Sequence, residues 1–137
     1  MKVITVNGEE CQESKIMIDH AKIMIQFNDE NLQIFGEHNE ITVTANSCNL
    51  HIYGDYNSIK TLGNQSNLHI YGDHLKAYVE NNDGNLHIYG THVDAVVVNG
   101  KAVVYGYYGN VTVHEAAEVE AYGDYKKVNY LQQASAD

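Results

Sequence analysis

The sequence predicts an all-β fold, a single-domain β-solenoid. It is a flattened two-sheet parallel β-helix or β-roll with about 18 residues per coil and about seven coils. Three observations carry this reading. The hexapeptide Asn-Leu-His-Ile-Tyr-Gly occurs at 49–54, 67–72 and 85–90, and a weaker copy, Asn-Leu-Gln-Ile-Phe-Gly, occurs at 31–36, each 18 residues from the last. A strict long period means one structural unit stacked on itself. The unit also divides into two nines whose second and fourth slots are apolar, the period-two mark of a strand with one buried face. Finally, a three-sided roll of six-residue faces needs apolar residues at positions 40 and 46; these are Glu40 and Asn46, so two sides per coil remain.

Taken in order, Ile4, Val6 and Gly8 make a first half-unit, and Ile16, Ile18, Ile23 and Ile25 a degenerate first coil. The first nines then carry Leu32/Ile34, Leu50/Ile52, Leu68/Ile70, Leu86/Ile88, Ala102/Val104 and Val119/Ala121. The second nines carry Ile23/Ile25, Ile41/Val43, Ile59/Thr61, Ala77/Val79, Ala95/Val97, Val111/Val113 and Val128/Tyr130. Gly, Asn and Asp follow these runs as turn residues. The stretches 94–100 and 110–117 have lost one or two of them. Proline is absent, which suits a backbone whose N–H groups nearly all join a ladder. Ile18 and Phe27 are expected to plug the N-terminal end, and Tyr130 and Leu131 the other. The repeats span 3–131 of a single domain covering 1–137, and the small polar residues 132–137 are expected to fray.

Composition narrows the functional classes. The net charge is −10, and all eight cationic residues are lysines. Nucleic-acid binders need a basic stripe and favour the arginine fork, so direct nucleic-acid binding is not expected. The same charge disfavours anionic membrane surfaces, and no run of about 18 apolar residues offers a span. The opening Met-Lys-Val-Ile-Thr-Val-Asn reads as a first strand and not as a secretory signal. Cys11 and Cys48 fall in near-equivalent turn slots two coils apart, about 10 Å along the axis, beyond disulfide reach. Unpaired thiols fit a reducing compartment, so a cytoplasmic location is expected, that of the host cell if the origin is a phage.

Equal slots of successive coils stack, so outward residues form ladders. One ladder reads Met17, Phe35, Tyr53, Tyr71, Tyr89, Tyr105, Tyr122. A neighbouring one holds His51, His69 and His87; another holds Asp19, Glu37, Asp55 and Asp73. Stacked aromatics stabilise neighbouring strands, and a flat tyrosine/histidine strip rimmed by carboxylates is also a candidate binding face. The expected binding residues are therefore Phe35, Tyr53, Tyr71, Tyr89, Tyr105, Tyr122, His51, His69, His87, Asp19, Glu37, Asp55 and Asp73. Asn31, Asn49, Asn67 and Asn85 are expected to stack their amides along the axis. Gly36, Gly54, Gly72, Gly90, Gly106 and Gly123 are expected to mark corners of positive φ.

No metal or other cofactor is expected. Histidines about 4.8 Å apart in a straight row converge poorly on zinc. Asp55, Asp73 and Asp124 follow glycines, and the nine-residue half-turn is similar in architecture to the haemolysin-type calcium roll. The tandem Gly-Gly and Gly-x-Asp pattern of that roll is absent. No nucleophile elbow or cysteine–histidine pair indicates catalysis, and the turns are too short to build a cleft, so no enzyme is expected.

The expected function is that of a non-enzymatic acidic interaction protein. Its partner is a basic protein surface, a nucleic-acid-binding protein for preference. The chain would then act as a nucleic-acid-mimicking inhibitor of phage or mobile-element type, in the manner of anti-restriction or anti-CRISPR proteins. Pentapeptide-repeat proteins show that a solenoid can do this; their five-residue repeat is absent here, so the resemblance is architectural. Two alternatives are a self-assembling module, as in the small bacterial filament-forming β-solenoids this chain resembles, and a glycan binder.

Overall fold

A computed structural model of the chain describes residues 2–123 and 127–130. The expected plug Leu131, the tail 132–137 and the candidate Asp124 lie outside the described residues. No helix occurs among the described residues. The strands are β1 (Val3–Val6), β2 (Glu9–Glu10), β3 (Lys15–Met17), β4 (Lys22–Phe27), β5 (Leu32–Phe35), β6 (Glu40–Val43) and β7 (Leu50–Tyr53). They continue as β8 (Ser58–Thr61), β9 (Asn67–Tyr71), β10 (Lys76–Val79), β11 (Asn85–Thr91), β12 (Asp94–Tyr107), β13 (Asn110–Tyr122) and β14 (Lys127–Tyr130). They wind into a β-solenoid of about six turns.

Two parallel faces result. The first stacks β3, β5, β7, β9 and β11, followed by the second halves of β12 and β13. The second stacks β4, β6, β8 and β10, the first halves of β12 and β13, and β14. Register is in step with the repeat: Leu50 pairs with Leu68 and Leu68 with Leu86. The predicted slot-two and slot-four residues are buried from Ile23 through Val113 and fill the space between the faces. In the last coil Val119, Ala121 and Val128 are only half-buried. Where 94–100 and 110–117 have lost turn residues, β12 and β13 run around the corner from one face to the other as single long strands. The register shift between Val97 and Asn99 absorbs the bend.

The N-terminus departs from the expected pattern. The half-unit at Ile4 and Val6 is not a coil: β1 runs antiparallel to β4, and β2 antiparallel to β1. This hairpin lids one end of the core and leaves about six turns where seven were expected. Lys2 pins it, donating to the carbonyls of Gln12 at 2.7 Å and Glu13 at 2.9 Å and pairing with Glu30 at 3.2 Å, although it is only 6 % exposed. Ile18 packs against the core as a plug should, and Phe27 is half-buried beside Val3. Tyr130 does not plug the other end: it is 66 % exposed, with no described strand above it.

The glycine expectation also needs correction. Gly36, Gly54, Gly72 and Gly123 have positive φ, whereas Gly90 and Gly106 lie inside strands without it. At Gly90 the requirement is space: a Cβ there would sit 1.6 Å from the Gly72 carbonyl oxygen of the coil below.

Candidate functional site

The first face carries the expected aromatic ladder. Phe35, Tyr53, Tyr71, Tyr89, Tyr105 and Tyr122 stack with centroids 4.8, 4.9, 4.8, 4.8 and 5.1 Å apart and planes within 17°. The spacing is that of hydrogen-bonded strands, so the backbone ladder sets it. Ring faces are turned to one another along the axis. Lys15 lies 5.3 Å over the Phe35 ring at the lower end.

Beside it, His51, His69 and His87 form a second row with centroids 4.9 Å apart. Within each strand the histidine Nδ1 shares a hydrogen bond with the tyrosine hydroxyl two residues on: His51–Tyr53 at 2.9 Å, His69–Tyr71 at 3.2 Å, His87–Tyr89 at 3.0 Å. Burial, and then the charges His51 and His87 would carry, push the His69 pKa below its ordinary value. Burial, followed by neighbouring phenols, raises the Tyr71 and Tyr89 hydroxyls.

The expected carboxylate row stands on the other side of the glycines. Its three aspartates are anchored through one oxygen to the next coil. Asp19 Oδ1 accepts the Glu37 amide at 2.8 Å, and Asp55 Oδ1 accepts the Asp73 amide at 2.8 Å. Asp73 Oδ1 accepts from the Thr91 hydroxyl at 2.8 Å and its amide at 3.2 Å. The hydroxyl bond, then the amide bond, hold the Asp73 carboxyl below the usual range, so it stays ionised. These are the geometries of side chains capping a turn, and they fix where each charge sits.

Three further features belong to this region; the first is legible in the sequence as an outward His/Tyr row, and the other two are not. Next to the carboxylates, His20, His38, Tyr56, His74, His92 and Tyr108 all sit at φ between 54° and 60°, and all are exposed. Their rings stack at 4.8, 4.9, 4.7, 4.4 and 5.7 Å. The available signal was the recurrence of His or Tyr two residues after each glycine of the repeat. The second feature is inside: Asn28, Asn46, Asn64 and Asn82 form a buried amide ladder, each Nδ2 donating to the next Oδ1 at 2.9 Å. The exposed ladder Asn31, Asn49, Asn67 and Asn85 is present as expected, with bonds of 3.1, 2.8 and 2.9 Å. The third is a pair of buried corner residues, Asn39 and Asn57, which reach back to the Ile18 and Gly36 carbonyls at 2.9 and 3.0 Å.

Among the described residues no three histidine, cysteine, aspartate or glutamate side chains converge as metal ligands, and Cys11 and Cys48 are both free. Comparison of the chain with protein-family models, with curated proteins and with solved structures finds no match.

Proposed function

We propose that this protein is a rigid, acidic docking rod that binds a basic surface of a partner protein, one whose own ligand is nucleic acid. The observation that carries this reading is the anchored carboxylate row beside the tyrosine ladder. Asp19, Asp55 and Asp73 are each held by an amide of the next coil, so their charges are in place before any partner arrives. Pre-placed charge gives electrostatic complementarity without an ordering cost at the moment of binding. Line density supports the nucleic-acid comparison. A net charge of −10 on a rod of roughly 30 Å is about one charge per 3 Å, near the 3.4 Å per phosphate of a single DNA strand.

Neither alternative gains similar support. Glycan stacking needs free ring faces, and here the faces of Tyr53, Tyr71, Tyr89 and Tyr105 are covered on both sides by neighbouring rings. End-to-end assembly is opposed at the N-terminal edge of the second face, where β2 presents Glu9 and Glu10, both exposed, to an incoming strand.

The test is capture from a bacterial lysate at low salt by the immobilised chain, with mass spectrometry of what salt or competing DNA elutes. In parallel, D19N, D55N and D73N together keep the anchoring acceptor and remove the charge. Recovery of a basic nucleic-acid-binding protein by the native chain and its loss on the triple variant is the expected result. Equal recovery by both would end the proposal.

A further inference from the structure

A strip without side chains, formed by the stacked slot of Gly36, Gly54, Gly72, Gly90, Gly106 and Gly123, runs along the rod axis between the tyrosine ladder and the carboxylate row and makes a shallow groove. At its upper end it is a depression of about 380 Å³, walled by Tyr89, Tyr105 and Tyr122 and floored by Gly90, Gly106 and Gly123. No side chain can rise from that floor, because a Cβ at Gly90 or Gly123 would meet a carbonyl oxygen below at 1.6 or 1.9 Å. The opposite wall changes character along the axis. It is Asp19, Glu37, Asp55 and Asp73 over the lower coils, then Thr91, then Tyr107. Tyr107 and Tyr122, at 51 % and 49 % exposed, leave an apolar surface at the upper end that no described residue covers.

We infer that this groove holds one extended segment of the basic partner, with a block of lysine and arginine against the carboxylates and a block of apolar side chains against Tyr107 and Tyr122. The inference rests on the docking function proposed above and adds the form of the partner's recognition element. A uniformly basic segment satisfies only the lower coils, and a uniformly apolar one would desolvate the carboxylates without pairing them, the three anchored aspartates included. A ligand with segregated halves uses the whole length. About six turns at roughly 4.8 Å give near 30 Å, the span of about nine extended residues. Straight, in-register stacking also favours an extended chain over a helix, whose width a floor between residues two apart in one strand cannot seat.

The experiment uses the full chain and two fluorescent nine-residue peptides of identical composition. One has five basic residues followed by four apolar ones, and the other has them alternating. Anisotropy titrations of the segregated peptide should give affinity at least tenfold tighter than the alternating one. Y107S should erase that advantage, and D55N with D73N should weaken binding of either peptide several-fold, more at low salt than at high. Equal affinity of the two peptides, or no response to Y107S, would overturn the segregated groove. If a captured basic protein is lost on the triple aspartate variant while neither peptide binds, the groove inference falls and the docking reading stands. If neither peptide binding nor capture responds to the aspartate variants, both fall.

Discussion

Asn46 donates from Nδ2 to Oδ1 of Asn64 at 2.9 Å, exactly one repeat away in sequence, with both side chains buried. Asn64 passes the same bond on to Asn82 and also donates to the Ser66 carbonyl at 3.0 Å. Asn64→Ala therefore leaves one N–H of the Asn46 amide and the Asn82 Oδ1 acceptor without their ladder partners in the interior, while the Ser66 carbonyl keeps the Asn85 amide. The expected loss is about 2–4 kcal/mol, set by the cost of unmet buried polar groups. Asn49→Ala, on the exposed ladder, exchanges its bonds for water and should cost about 0.5–1 kcal/mol. Urea midpoints of the two variants check the contrast, and equal losses would show that burial does not set the worth of these ladders.

Gly72 makes the second prediction. Its φ is 153°, and a Cβ would lie 1.9 Å from the Gly54 carbonyl oxygen, an atom held in the coil stack. Neither coil can yield without spoiling the ladder, so Gly72→Ala should cost about 3 kcal/mol or more. Gly8→Ala is the control: φ is 84°, but nothing lies within 4 Å of the new methyl. Its cost should stay near the 1–2 kcal/mol of a left-handed backbone alone. Thermal melts of both variants separate close approach from backbone strain.

The contrast between these glycines shows what the sequence could and could not disclose. Period and alternation fixed the coil length, the two faces and the residues between them, since those follow from a strand's two-residue repeat. The stacked Tyr, Asn and carboxylate rows followed from period alone. What stayed hidden depends on where a slot points relative to the coil below. Gly54 and Gly90 occupy the same slot and look alike in sequence, yet only the first has positive φ. Asn31 and Asn28 are three residues apart, and only the second is internal. The antiparallel cap was illegible because Ile4 and Val6 alternate as any strand would, and strand direction leaves no mark on alternation. Lys2 is buried because the carbonyls it satisfies come together only once that cap has formed.

Acidification should weaken the fold through His69. Its folded pKa lies below the ordinary 6.5, chiefly through burial and next through His51 and His87. A group of this kind binds its proton more readily when unfolded, so its stabilising contribution is complete above pH 6.5 and declines as pH falls below it. Asp73 has the same sign but acts lower, below its ordinary 3.8. The urea midpoint should therefore be lower at pH 5.5 than at pH 7.5. His69→Gln should shrink that difference, whereas Asp73→Asn should leave it unchanged. A drop of the same size in His69→Gln would place the acid sensitivity elsewhere.

Tyr56 tests whether the corner rings serve stability. It holds φ at 60° and stacks on His38 at 4.9 Å and His74 at 4.7 Å, while 51 % of it stays exposed. A left-handed backbone costs a residue with a Cβ about 1–2 kcal/mol, which glycine escapes. Two cross-strand ring contacts contribute about 0.2–1 kcal/mol each. These terms nearly cancel, so Tyr56→Gly should change stability by less than about 1 kcal/mol in either direction. Glycine's extra freedom when unfolded takes back about 0.5–1 kcal/mol and keeps the balance near zero. On that arithmetic the fold gains little from putting a ring there in every coil, and exposed strain kept without a stability return is the pattern of a surface used for contact. A loss of 2 kcal/mol or more on denaturant titration of Tyr56→Gly would instead make the rings part of the scaffold and remove this argument for a contact role.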